Sequence, residues 1–289
     1  MRIRRKSKLV AAIMAMCLTL TVFTSMPTRV CGAKESKLYI VDSPKKTVSV
    51  QLDGVGKKEK IKYTISGQYF DLYIDGENVW RYLNERGDEI EGAVFITDMD
   101  ISDKSQDIFV VVGDFAKGSD LYYCKYKSGE FQEVQDATEL IDACNSGIEL
   151  DYYDCKEGGV HTYGDKTIYF PIWGEAKGIG QFYGNCELKL KNGKLKSCSK
   201  TLSGAVWGIR AGFGKDYFGS STIKKKTTFY SKAGGKTKAF TAKKGDMLHW
   251  QRFCFIKSVL YIQVVDHSIG KEGWIKSSDL GAVIEFPKD

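Results

Sequence analysis

Proline and histidine are scarce in this sequence, and several motifs that mark enzymes and metal sites are missing. The 289 residues include 4 prolines and 3 histidines, and the prolines after residue 33 are too few for a stiff linker between domains. No C-x-x-C pair occurs, which argues against a zinc site built on cysteines. The G-x-S-x-G turn of α/β-hydrolases is also absent, so the sequence assigns no serine nucleophile.

The surplus of positive charge belongs to the first 33 residues. The chain has 43 Lys+Arg and 36 Asp+Glu, a net charge of +7, but six of the basic residues and none of the acidic ones lie in residues 1–33. The remainder is nearly neutral, which argues against nucleic acid as a partner because that function needs a persistent basic surface. An apolar content of 43% with 27% charged residues excludes disordered and collagen-like chains.

Residues 1–33 have the pattern of a secretory signal peptide. A basic segment, MRIRRKSK, precedes the apolar stretch LVAAIMAMCLTLTVFTSM, and the small residues Cys31 and Ala33 stand at −3 and −1 of a cleavage after Ala33. An uncleaved membrane anchor is the alternative, because the apolar stretch is near the lower length limit for a bilayer span. We expect a secreted or cell-surface protein whose mature chain has no transmembrane segment.

Export changes the meaning of the cysteines, because disulfides persist outside the cytoplasm. Two locally plausible pairs are Cys144 with Cys155 and Cys186 with Cys198. In the second pair, a turn at Asn192-Gly193 sets Cys198 one residue out of register with Cys186. Buried unpaired thiols are the alternative. Six cysteines follow the leader: Cys124, Cys144, Cys155, Cys186, Cys198 and Cys254.

The mature region has the two-residue alternation of β-strands. Residues 61–65 and 70–74 alternate apolar and polar side chains, and 108–112 are apolar throughout, as expected of a strand buried on both faces. Residues 186–198 predict a hairpin around an Asn-Gly turn. The best helix candidate is 136–144, with Asp136 as its N-cap. The predicted fold class is all-β.

A change in charge divides the mature chain into two predicted domains. Residues 34–215 are acidic, whereas residues 216–289 contain 13 Lys+Arg against 7 Asp+Glu. A glycine-rich stretch, 203–221, crosses the junction. We therefore expect an acidic domain over 34–215 and a basic domain over 216–289.

Two loops of the acidic part share one form, in which an aspartate-rich turn leads directly into a strand. They lie at 51–63 and 97–112, and Asp53 and Asp100 are separated by the length of one propeller-sized repeat. The second loop crowds four carboxylates that repel one another, and a hard cation such as calcium relieves that repulsion with oxygen ligands. The four predicted ligands are Asp98, Asp100, Asp103 and Asp107.

These loops resemble the calcium-binding blade loops of FG-GAP/VCBS-type β-propeller repeats in secreted bacterial proteins. The second loop fits a longer variant of the family pattern D-x-D-x-D-G-x-x-[DE], whereas the first keeps only Asp53 and Glu59. The resemblance implies a small or incomplete β-propeller-like domain and calcium as a cofactor. A solvated acidic turn without metal is the alternative. No third copy is convincing, and 151–160 is at most a remnant.

The basic part contains short predicted strands with tight turns, at 229–230, 238–241, 246–255, 261–265 and 273–276. Its K-K-G-D turn at 243–246, Y-I-Q-V at 261–264 and G-K-x-G-W-I at 270–275 resemble the bacterial SH3-like domain. The resemblance implies an SH3-like barrel that binds a cell-wall peptide or an anionic surface polymer. A structural alternative is that Trp274 fills the core and the lysines only solvate strands. The predicted polymer-binding residues are Lys243, Lys244, Tyr261 and Trp274.

An active site has weaker support. Asp154-Cys155 is similar to the nucleophile motif of cell-wall cysteine endopeptidases, and His161, oriented by Asp165, is the histidine in the acidic part. However, Cys155 is followed by Lys-Glu-Gly-Gly, which does not predict the apolar helix that would lower the pKa of a nucleophilic thiol. The predicted function is therefore an exported, non-catalytic binding protein of the cell wall or a surface polymer, with calcium-stabilised repeats. The alternatives are a wall hydrolase or glycan-cleaving enzyme with an unrecognised site, and a structural or adhesion module.

Overall fold

A computed structural model describes residues 35–85, 90–114, 118–142, 148–151, 155–197, 203–210 and 216–285. The predicted signal peptide, Cys144 and Cys198 lie outside these ranges. The described residues are predominantly β-strand and form antiparallel sheets, which confirms the predicted all-β class. Within the described part of the chain, no helix is long and apolar enough to span a membrane.

The first two sheets contain the strands up to Asp136. The first sheet has the order β2-β3-β4-β5 and the second has the order β1-β6-β7-β8-β9. The strands are β1 (Tyr39–Val41), β2 (Val48–Val50), β3 (Glu59–Ser66), β4 (Tyr69–Ile74), β5 (Glu77–Leu83), β6 (Glu91–Thr97), β7 (Asp107–Asp114), β8 (Gly118–Lys127) and β9 (Glu130–Asp136).

The third sheet contains the remaining strands. They are β10 (Ile148–Leu150), β11 (His161–Thr162), β12 (Thr167–Ala176), β13 (Gly180–Lys191), β14 (Lys194–Ser197), β15 (Ser203–Arg210), β16 (Asp216–Phe218), β17 (Ser220–Ile223), β18 (Thr227–Tyr230), β19 (Lys238–Ala242), β20 (Met247–Ile256), β21 (Val259–Asp266), β22 (Lys271–Lys276) and β23 (Ile284–Glu285). The main path is β10-β12-β13-β15-β20-β21-β22-β18-β19. Short helices α1 (Thr138–Asp142) and α2 (Ser277–Gly281) and a helical turn at Cys155–Gly159 complete the described structure.

Three four-stranded meanders follow one another along the chain. Strands β2–β5 form the first, β6–β9 the second and β11–β14 the third, each pairing neighbours in sequence. The first two place their aspartate-rich loops at equivalent positions, as the predicted repeat requires. The third meander was missed by the sequence prediction, because its loop at 163–166 is short and contains a single acidic residue.

The second sheet is buried on both faces between the other two. Val94, Ile108 and Val110 belong to the apolar cluster shared with the first sheet, whereas Phe95 and Phe109 belong to the cluster shared with the third. The ring centroids of Phe109 and Phe170 lie 5.4 Å apart across that second interface. Side chains of a strand alternate between its two faces. The continuous apolar run at 108–112 is therefore explained, and the prediction that it is buried on both sides is confirmed.

One further local prediction is confirmed, and the predicted helix begins near its expected start, with Asp136 at the end of β9 rather than at the N-cap. The Asn192-Gly193 turn has positive φ at both residues, 54° and 74°, as a tight hairpin turn requires, and it pairs Leu190 with Leu195. Asp136 Oδ1 accepts a hydrogen bond of 2.9 Å from the N–H of Thr138 at the first residue of α1. The described part of this helix is shorter than the predicted 136–144.

The C-terminal strands match their predicted positions, but in the described residues they do not close into a barrel. Ser203 of β15 pairs with Cys254 of β20, so the long strand β20 joins the C-terminal strands to the third sheet. The sheet path then ends at β19, which is an open edge. One sheet therefore crosses the predicted boundary at 215/216, which lies next to residues outside the described ranges.

Candidate functional site

The most buried carboxylate of the predicted calcium loop is bound by protein donors. Asp107, at the first residue of β7, is 1% exposed. Its Oδ2 accepts the N–H of Met99 at 3.0 Å, and its Oδ1 accepts the O–H of Tyr123 at 2.7 Å. The Nζ of Lys125, on the neighbouring strand β8, lies 3.5 Å from the same Oδ1. Asp107 therefore fixes the loop to the start of the strand.

Two more carboxylates of this loop are also paired. Asp100 accepts the hydroxyl of Ser102 at 2.6 Å and forms an ion pair of 2.9 Å with Lys166, which comes from the loop of the third meander. Asp103 accepts the hydroxyl of Ser105 at 2.7 Å and lies 3.8 Å from Lys125 Nζ. Two ammonium groups thus provide the positive charge that the sequence analysis assigned to calcium.

The environments of these carboxylates shift their pKa values in different directions. Burial raises the pKa of Asp107, and Lys125 and Tyr123 offset part of that rise. Burial also raises the pKa of Asp98, whose Oδ1 has no hydrogen-bond partner among the described residues. The hydrogen bond from the Ser102 hydroxyl lowers the pKa of Asp100, and the contact with Lys166 contributes a smaller lowering.

A calcium shell at this loop would have to replace contacts that the carboxylates already make. Three of the four carboxylates have a lysine within ion-pair distance, and in the described ranges no three acidic, imidazole or thiol groups cluster as metal ligands. A calcium ion takes six to eight oxygen ligands, which would have to be released from these partners. Calcium therefore stays a prediction from the sequence alone.

The same backbone contact recurs in the first loop. Glu59, at the first residue of β3, accepts the N–H of Leu52 at 2.8 Å, just as Asp107 accepts the N–H of Met99. The carbonyl of Leu52 in turn accepts the N–H of Gln106 in the second loop at 2.7 Å. These acidic residues close their own loops, and the Leu52 carbonyl connects the first loop to the second. Their spacing from the preceding buried Leu or Met was the sequence signal that could have predicted this role.

The residues considered for an active site have separate local partners. The Cys155 side chain is buried, with its Sγ 4.0 Å from the carbonyl of Pro171. His161 Nδ1 lies 3.0 Å from the carbonyl of Gly159, and its ring stacks on Tyr169 with centroids 4.7 Å apart. Asp165 Oδ1 accepts the N–H of Thr167 rather than orienting an imidazole.

No disulfide joins any two of the four cysteines that the structure describes: Cys124, Cys155, Cys186 and Cys254. The two predicted pairs each include a residue outside the described ranges, so they stay predictions. Burial raises the pKa of the Cys254 thiol to about 11, which keeps this thiol protonated at neutral pH. A protonated thiol is a poor nucleophile.

Five exposed lysines gather at one end of the C-terminal strands, and we call them the lysine cluster: Lys224, Lys225, Lys226, Lys243 and Lys244. The first three lie in the β17–β18 loop and the other two in the β19–β20 turn. Backbone hydrogen bonds join loop and turn, from Gly245 to Ile223 at 2.8 Å and from Ile223 to Asp246 at 2.9 Å. The proximity of the two segments follows from tertiary pairing that the sequence did not reveal.

None of the five lysines has an ion pair with a carboxylate in the described part of the chain. Asp246 lies in the same turn, but its Oδ2 accepts the backbone N–H of Lys243 at 2.6 Å. The cluster is therefore a group of like charges with no ion-pair partner among the described residues.

Three aromatic side chains lie on the outward face of the same strands. Trp274 pairs with Tyr230 on β18 and with Gln263 on β21, and its neighbours Gly273 and Ile275 are buried, so the half-buried indole points away from the core. Tyr261 pairs with the exposed Lys276. Trp274 is half-buried and does not belong to the core cluster, which contains Trp250.

Comparisons of the chain with protein-family models, curated proteins and solved structures give no match.

Proposed function

We propose that this chain is an exported, non-catalytic binding protein that attaches to an anionic polymer of the bacterial surface. The observation that carries the proposal is the lysine cluster, in which five exposed ammonium groups lie together without carboxylate partners in the described residues. By contrast, Arg252 pairs closely with Glu187, and its guanidinium contacts both carboxylate oxygens at 2.8 and 3.0 Å.

An unpaired basic cluster favours a polyanion for an electrostatic reason. Like charges held at one place repel one another, and a polymer with regularly spaced phosphates or carboxylates relieves that repulsion at several positions at once. Compact ammonium groups suit phosphate as point charges. Lys243 and Lys244, predicted from the sequence, belong to this cluster.

The aromatic side chains support a polymer that contains sugar or peptide units. Trp274, Tyr230 and Tyr261 share the outward face of the C-terminal strands and leave part of each ring accessible. Such rings provide apolar contact area beside the charged end. In this proposal the three meanders are blades of an incomplete propeller, and strands β18 to β22 are an SH3-like fold left open.

The test is binding of the mature chain to purified cell-wall sacculi that carry anionic polymers and to sacculi from which those polymers have been removed. The informative variant is Lys243→Glu/Lys244→Glu. A matched control is Lys191→Glu/Lys194→Glu, which makes the same change in net charge beside the Asn192-Gly193 turn of β13 and β14. We expect only the first variant to lose binding to intact sacculi.

Salt and product analysis separate the alternatives. Binding should weaken at high salt, because the screening length falls from ~10 Å at 0.1 M to ~3 Å at 1 M. Equal binding to stripped sacculi, or full binding by Lys243→Glu/Lys244→Glu, would overturn the proposal. Release of soluble wall fragments would instead support the hydrolase alternative.

A further inference from the structure

Two of the three histidines in the chain are in contact, although they are distant from each other in sequence. His249 lies on β20 and His267 directly follows β21. Pairing of His249 with Val265 brings β20 alongside the end of β21. The two ring centroids are 4.7 Å apart and the ring planes are inclined by 64°.

The spacing of the rings suits two imidazoles that share one metal ion. With metal–nitrogen distances of ~2.1 Å, two rings on a single ion hold their centroids ~4.6–5.3 Å apart for angles between perpendicular and tetrahedral. The observed separation of 4.7 Å lies in this interval. A two-histidine site leaves the remaining positions to water.

The ring nitrogens are also available. Neither imidazole has a hydrogen bond to any residue that the structure describes, whereas the third histidine, His161, uses its Nδ1 at the carbonyl of Gly159. A neutral imidazole has the free lone pair that a metal requires.

We propose that His249 and His267 form a binding site for a transition-metal ion that prefers imidazole, such as Zn²⁺ or Cu²⁺. Imidazole ligands suit these ions, whereas Ca²⁺ and Mg²⁺ select oxygen. The site is separate from the lysine cluster, and it does not depend on the proposed polymer binding. With two protein ligands, it binds its metal less tightly than the closed four-ligand sites of structural zinc.

The test is a titration of the chelator-treated mature chain with Zn²⁺, and separately with Cu²⁺, by calorimetry. Three variants give the comparison: His249→Gln, His267→Gln and the matched control His161→Gln. We expect one ion per chain, and a loss of affinity of ~10-fold or more for each of the first two, because changes even beyond the ligands reach this size. The control should bind as the wild type does.

NMR spectroscopy of the wild type tests the site without a substitution that could disturb folding. Zn²⁺ should shift the imidazole NMR signals of His249 and His267 and leave that of His161 in place. Because His267 is exposed, His267→Gln should keep the wild-type melting temperature in the absence of metal. No binding by the wild type, unchanged affinity of His267→Gln, or loss of binding in His161→Gln would overturn the proposal. Saturation by Ca²⁺ at the same histidines would also contradict it.

Discussion

The acidic loop at 98–107 and the lysine cluster have similar densities of like charge, but their charges have different partners. In the loop, Lys125 and Lys166 approach three of four aspartates to within 2.9–3.8 Å. In the lysine cluster, no carboxylate of the described residues forms an ion pair. Three of the four loop carboxylates have a lysine of the same chain beside them, whereas the lysines of the cluster have no carboxylate partner among the described residues.

The comparison shows that charge density alone does not identify a binding site. Both segments predict a ligand of opposite sign when only the sequence is considered. The position of the opposite charges distinguishes the two segments. A carboxylate that already pairs with a lysine gains less free energy from binding a cation. A charge cluster left uncompensated by its own protein is the better candidate for recognition.

The largest effect expected from disturbing the loop comes from Asp107→Ala. This change removes the acceptor of two buried donors, the N–H of Met99 and the O–H of Tyr123. An unsatisfied buried donor costs ~1–3 kcal/mol, so the free energy of unfolding should fall by ~2–4 kcal/mol. Urea unfolding followed by tryptophan fluorescence measures this difference.

The control for that prediction is Asp107→Asn. Its single amide oxygen can still accept the Met99 N–H, but the Tyr123 O–H loses its acceptor, so Asp107→Asn should lose roughly half as much stability as Asp107→Ala. Equal losses for the two variants would show that the negative charge, rather than the hydrogen bonds, holds the loop. Such a result would favour the prediction that a cation binds in this loop.

The sequence predicted the strands well because their alternation is a local property. It did not predict the contacts between residues that are distant in the sequence. The partners of the loop aspartates are Lys125, on β8, and Lys166, in the third meander, and no pattern within 97–112 indicates either one. The open C-terminal sheet depends in the same way on pairing between β15 and β20, which the internal motifs of residues 216–289 do not specify.

The candidate site was predictable only in part. The sequence motifs indicate four of the residues: Lys243, Lys244, Tyr261 and Trp274. The lysines at 224–226 are recognised as part of the site only from the backbone contacts between the two loops. The histidine pair carried no sequence signal, because His249 lies on β20 and His267 follows β21, 18 residues later in the chain. Neighbours across a sheet become visible only when the register is known.

The pH dependence of stability should separate Asp107 from the other carboxylates, with a smaller effect than Asp107→Ala. Burial raises the pKa of Asp107 in the folded state above its value in the unfolded chain. The unfolded state therefore loses its proton first as the pH rises, and the contribution of this group to stability falls from about pH 4 up to the raised pKa.

The measurement is the urea midpoint of the wild type minus that of Asp107→Asn across this pH range. The difference should decrease as the pH rises. Asp100 has a lowered pKa, which has the opposite effect, but it is present in both proteins and cancels. An increase with pH would mean that Lys125 outweighs burial at Asp107.

A still smaller effect on the free energy of unfolding is expected at the exposed ion pair between Lys166 and Asp100. Lys166 is half exposed and pairs with Asp100, so Lys166→Met should lower stability by ~0–1 kcal/mol, the usual range for an exposed ion pair. Lys225→Met removes one of five repelling charges and should leave the melting temperature unchanged or slightly higher. Equal decreases in stability for the two variants would show that the acidic loop and the lysine cluster do not differ in charge compensation.

The measurement that tests the central claim most directly is the melting temperature of three proteins, each with and without long-chain polyphosphate. They are the wild type, Lys166→Met, and Lys225→Gln/Lys243→Gln/Lys244→Gln. A ligand that binds only the folded state raises the melting temperature. We predict that polyphosphate stabilises the wild type and Lys166→Met equally and leaves the cluster variant unchanged. Stabilisation of the cluster variant equal to that of the wild type, or loss of the shift in Lys166→Met alone, would contradict this prediction.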